Sequence, residues 1–96
     1  MAKFDAEAEL KRLREAIDRV DEVLVKLLNQ RAKYAVEIGE IKGHLALPVY
    51  SPEREKEVLR HVETMSQGPL DDASIRRLFE RIIDESRKIE RESAQR

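Results

Sequence analysis

Residues 10–42 read LKRLREAIDRVDEVLVKLLNQRAKYAVEIGEIK. Within them Leu10, Leu13, Ile17, Val20, Leu24, Leu27, Tyr34, Ile38 and Ile41 follow one another in alternating steps of three and four, and one slot alone, Arg31, breaks the apolar series. That spacing marks a heptad stripe on one face of a single helix. No proline falls between Lys3 and Lys42, and the first glycine is Gly39, so the pattern predicts one helix over about 3–42. At ~1.5 Å per residue such a helix is about 60 Å long. A compact chain of this size has a radius of gyration of only about 12–13 Å. The helix therefore outruns any core its own chain can build, and a second copy of the chain is the simplest cover.

The remainder supplies two shorter helices. Residues 43–50, GHLALPVY, read as a connector, with Gly43 as a helix stop and Pro48 within it. Ser51 suits an N-cap, Pro52 the first helical position, and Glu53 the positive end of the dipole. A helix over about 52–66 then shows Val58, Leu59, Val62 and Met65 on one face, and Gly68-Pro69 closes it. Asp71 is the next N-cap, with Leu70 and Ile75 in the positions of a hydrophobic staple. The third helix, about 72–92, carries Ile75, Leu78, Phe79, Ile82, Ile83 and Ile89 on its apolar face, and the tail RESAQR is polar. The expected class is all-α: one domain over 1–96, with one long and two shorter helices per chain.

Composition narrows the function. Charged and apolar residues each make up 41% of the chain, aromatics 4%, and the formal net charge is -1. No global basic field and no nucleic-acid-binding motif is present. Without cysteine there are no disulfides and no thiolate metal sites. No apolar run approaches the roughly 20 residues of a membrane span. The opening MAKFDAEAEL lacks the apolar core of a signal peptide, so a cytoplasmic protein is expected.

The informative residues are polar ones on faces that should be apolar. A buried, unpaired guanidinium costs several kcal/mol, so Arg31 needs an anionic partner. An internal salt bridge, a side chain snorkelling to water, or a bound anion would each serve. Lys42 lies eleven residues further on, three turns and about 20° away, and so shares the Arg31 face. Taken alone, it equally suits a partner for the helix C-terminus. Arg14 is turned about 100° from that face and cannot easily serve the same pocket from the same chain. It is either a solvated arginine or one delivered to a partner chain.

Ser86 and Glu90 stand one turn apart on the third helix, in line with Phe79 and Ile82/Ile83. They line a polar pocket if that end is buried, and face water if it frays. Arg54 and Glu55, in the first turn of helix two, read as a surface ion pair or as ligand contacts. Glu53, Glu57 and His61 recur every four residues, a pattern more typical of a solvated face than of a metal site. His44 has nothing nearby in sequence to pair with. No catalytic triad, phosphate loop or zinc signature occurs. The residues alone yield a helical homodimer with a candidate cationic pocket for a small anion, and no reaction.

The segments RLREAIDRVDEVLVKLLNQRAKYAVEIGEIK, LPVYSPEREKEVL and IRRLFERIIDESRKIE together resemble the AroQ class of chorismate mutases. The resemblance runs from about Leu10 to Glu90 and keeps the family's order and spacing. It implies an intertwined all-α homodimer and the rearrangement of chorismate to prephenate in phenylalanine and tyrosine biosynthesis, with no cofactor and no metal. Carried over by position, Arg14 is the arginine donated across the interface. Arg31 and Lys42 hold the carboxylates of the dianionic substrate and, for the lysine, the ether oxygen. Ser51, Arg54 and Glu55 fall at the helix-two binding positions, with Glu55 meeting the substrate hydroxyl. Ser86 and Glu90 match the third-helix pair, and Lys42, Glu90 and Arg31 carry the catalytic roles.

Two positions depart from the family's pattern. Ser51 stands where aspartate is common, and Glu90 where some members have glutamine. A carboxylate facing the ether oxygen would repel it, whereas a protonated glutamic acid can donate to it. Isochorismate-pyruvate lyases share the fold and the PER motif but tend to lack the glutamate at the Glu55 position. A non-catalytic helical dimerisation or regulatory module is the reading from another class.

Overall fold

The computed structural model describes residues 4–95, and these form three α-helices: α1 (Ala6–His44), α2 (Pro52–Met65) and α3 (Asp72–Ala94). The expected helix start at Lys3 and the domain ends at 1 and 96 lie outside the described residues. Asp5 caps α1, its carboxylate accepting from the backbone N–H of Glu7 at 3.0 Å and of Ala8 at 3.1 Å. No described helix is long and apolar enough to cross a membrane.

The chain divides into two units, one ending at Arg31 and one beginning at Ala32. The first is the N-terminal part of α1. Its stripe is exposed along its whole length: Leu10, Leu13, Ile17, Val20, Leu24 and Leu27 all face solvent, Val20 to 64%. Ala16, Val20, Val23, Leu24 and Leu27 line a shallow apolar groove there.

The second unit holds the end of α1 with α2 and α3, and its buried apolar residues come one from each helix: Ala35, Leu59 and Ile83. Helices α2 and α3 form an antiparallel hairpin. Arg76 meets Glu63 near the turn at 3.1 Å, and Arg87 meets Glu55 at the far end at 2.7 Å. Asp71 caps α3, its side chain accepting from the Ser74 N–H at 2.8 Å. Hydrogen bonding from the Ser74 N–H, and next from the Ser74 side chain, holds the Asp71 carboxyl below the ordinary aspartate value.

Gly43 does not stop α1. The helix runs through it to His44, and the terminator lies at Ala46, whose φ is 54°. The Leu47 N–H donates to the Lys42 carbonyl at 2.8 Å, and the Ala46 N–H to the Gly43 carbonyl at 3.3 Å. This pair of bonds is a Schellman motif, with alanine in the left-handed position that glycine usually fills. Gly43 is needed for a different reason: a β-carbon there would lie 2.8 Å from the Ala94 Cα. The glycine lets α3 cross α1 at backbone distance.

Candidate active site

Lys42 stands in the last turn of α1, one turn beyond Gly39. A β-carbon on Gly39 would sit 2.5 Å from the Glu90 carbonyl oxygen, 2.7 Å from its Cα and 2.8 Å from the Ser93 Cβ. The absence of that carbon brings the α3 backbone against α1 at Glu90. The two side chains then meet, with Lys42 Nζ 2.7 Å from Glu90 Oε1 and the pair 20% and 15% exposed. The Schellman turn sends the connector back past the same lysine, whose Nζ also donates to the Val49 carbonyl at 2.8 Å. An ammonium has three donors. Two are engaged here, leaving one for an incoming oxygen.

Ser86 lies one turn before Glu90, half-buried, and its hydroxyl donates to the Ile82 carbonyl at 2.9 Å. Ser51 is the N-cap residue of α2 but makes no capping hydrogen bond with its side chain. Its carbonyl accepts from the Glu55 N–H at 3.0 Å. Arg54 points outward and pairs loosely with Glu57 at 3.4 Å, the arginine 70% exposed.

Glu55 is not joined to its neighbour Arg54. Both of its oxygens are held by Arg87 of α3: Nη2 donates to Oε1 at 2.7 Å and to Oε2 at 2.8 Å, and Nε donates to Oε2 at 3.0 Å. Nη1 lies 3.4 Å from Asp84 Oδ1. The guanidinium also packs 5.2 Å from the centre of the Tyr50 ring. The hydrogen bonds to Glu55 raise the Arg87 pKa above the ordinary arginine value; desolvation opposes this, and the Glu55 and Asp84 charges add to it.

Arg14 and Arg31 both belong to the unit ending at Arg31, the former exposed and the latter half-buried. The second unit thus joins Lys42 to Glu90, and it ties Glu55 to a residue the sequence reading did not single out. Arg87 sits four residues after the buried Ile83, and that phase was the available signal. Among the described residues no group of three or more His, Asp or Glu is placed to hold a metal ion.

A sequence profile of the family described as chorismate mutase type II matches residues 13–91. The bifunctional chorismate mutase/prephenate dehydratase of Neisseria gonorrhoeae is 47% identical over 78 residues, covering 81% of this chain and 21% of that protein. The corresponding Pseudomonas aeruginosa protein is 41% identical over 80 residues, 78% of this chain and 22% of its own length. This chain thus spans only about a fifth of the length of such relatives. Among solved structures, a chorismate mutase from Thermus thermophilus superposes with a TM-score of 0.83 at 36% identity, covering 85% of this chain and 93% of that one. A chorismate mutase from Helicobacter pylori in complex with prephenate gives 0.83 at 28% identity, covering 92% and 96%.

Proposed function

We propose, from the fact that this chain belongs to the type II chorismate mutase family, that it is an isomerase converting chorismate to prephenate in the cytoplasm. The reaction is intramolecular: one C–O bond breaks as one C–C bond forms, and no nucleophile is required. A protein can speed it in two ways. It can hold the chair-like reactive conformer, which removes a conformational cost before the barrier. It can also aim preorganised donors at the ether oxygen, where negative charge develops.

The observation that carries this reading is the sheltered Lys42–Glu90 pair at 2.7 Å, with one lysine donor in reserve. Lys42 serves the ether oxygen, with Glu90 beside it. Arg31 and Arg14 clamp the two carboxylates. Glu55 accepts from the substrate hydroxyl, and Ser51, Arg54 and Ser86 complete the binding set. The same reading takes the active form to be a homodimer in which Arg14 reaches the site of the other copy. The exposed stripe from Leu10 to Leu27 supports it, because each such side chain contributes about 1.5–3 kcal/mol when fully buried.

The test is chorismate consumption and prephenate formation by the purified protein, with isochorismate run in parallel. Turnover of chorismate to prephenate supports the mutase. Pyruvate and salicylate from isochorismate alone would assign the lyase, which the presence of Glu55 argues against. No acceleration of either reaction over buffer would leave a non-catalytic helical module.

A further inference from the structure

Glu55 is the one acidic member of the proposed binding set on α2, and it does not stand free. Three hydrogen bonds of 2.7–3.0 Å tie both its oxygens to Arg87. The pair is part-buried, with side chains 27% and 24% exposed. A carboxylate held by a fork is fixed in rotation as well as in position. Oε1, which accepts only one of these bonds, still keeps lone-pair capacity for one further donor.

Arg87 itself is poorly suited to bind a substrate carboxylate. Its Nε and Nη2 are directed at Glu55, its Nη1 lies beside Asp84, and its planar group packs near Tyr50. The guanidinium is already matched by two protein carboxylates. What it can do is hold Glu55 where a hydroxyl donor will meet it. The hairpin geometry allows this, because Arg87 and Glu55 come from facing turns of α3 and α2.

We propose that Arg87 is a positioning residue for the substrate hydroxyl: its fork fixes the Glu55 carboxylate, and the Tyr50 ring steadies the fork. The proposal rests on the mutase reading above and adds to it the residue that sets recognition of the hydroxyl. A group acting only through Glu55 has no effect once Glu55 can no longer accept in the same way, whereas a merely structural arginine has the same effect in either background.

The test is a double-mutant cycle on the full-length protein, with chorismate as substrate and kcat and KM measured separately. Arg87→Met is combined with Glu55→Gln, and urea unfolding of each variant accompanies the kinetics. Arg87→Met is expected to lower kcat/KM roughly ten- to hundredfold, largely through KM, and to change it by less than about twofold in the Glu55→Gln background. Arg87→Lys keeps the charge and the fold but not the fork, and it is expected to recover only part of the loss. Equal losses in both backgrounds, or a wild-type KM in Arg87→Lys, would overturn the proposal while leaving the mutase reading intact. A wild-type protein without chorismate turnover removes the mutase reading, and this proposal with it.

Discussion

Replacing Gly39 by alanine tests whether backbone contact between α1 and α3 builds the site. The new β-carbon would sit 2.5 Å from the Glu90 carbonyl oxygen and 2.7 Å from its Cα, where ordinary contact needs 3.4–4 Å. The obstructing atoms are backbone, so the helices must part by about 1 Å. Overpacking of this kind costs about 1–3 kcal/mol. Alanine returns about 1 kcal/mol of helix propensity. The net loss of stability is therefore small, about 0–2 kcal/mol. The effect on the site is larger, because the 2.7 Å Lys42–Glu90 bond is stretched beyond hydrogen-bonding range. A misplacement of ~1 Å can lower a rate by up to about a hundredfold. Urea unfolding paired with kcat on chorismate should show Gly39→Ala folded, slightly destabilised and at least tenfold slower. An alanine variant that gains about 1 kcal/mol and keeps the wild-type kcat, as helix propensity alone predicts, would refute the reasoning.

Three further outcomes follow from the same geometry. Ala46 holds φ 54°, so Ala46→Gly should stabilise the protein by about 1 kcal/mol in urea unfolding; a destabilised variant would show that the side chain packs at that turn. Asp71 titrates below its usual 3.8 because the folded state favours its charged form. Its contribution is therefore present above that value and is lost as pH falls through the lower folded one. Asp71→Ala should lower Tm at neutral pH, by a margin that shrinks on acidification; a margin undiminished in strong acid contradicts the cap. Glu90 holds the Lys42 ammonium at 2.7 Å, so in the proposed site Glu90→Ala should lower kcat on chorismate at least tenfold. A wild-type kcat would remove Glu90 from the reaction.

The helices were legible where their signals are local. Pro52 and Asp71 mark helix starts through groups within one turn, and the alternation from Leu10 to Ile41 needs no partner to be read. Gly43 was misleading because one residue type serves two purposes. A helix stop and a close helix crossing both favour glycine, and only the facing Ala94 backbone decides between them. Ala46 carried no signal at all, since alanine is not expected in the left-handed region.

At the site, helical phase put Ser86 and Glu90 on one face. The bond from Glu90 to Lys42 depends on a crossing that no spacing within one helix reveals. Arg87 was hidden by company. Arg76, Arg77, Arg81 and Arg91 share its helix, and five arginines on a charged helix read as a solvated face unless the phase relative to Ile83 is followed.

A crystal structure with an oxabicyclic dicarboxylate mimic of the transition state tests the central claim most directly. The account predicts the mimic's ether oxygen within hydrogen-bonding distance of Lys42 Nζ with Glu90 beside it, its hydroxyl on Glu55, and its carboxylates on Arg31 and on Arg14 of the partner subunit. A mimic bound elsewhere, with the Lys42–Glu90 pair making no contact to it, would contradict the account.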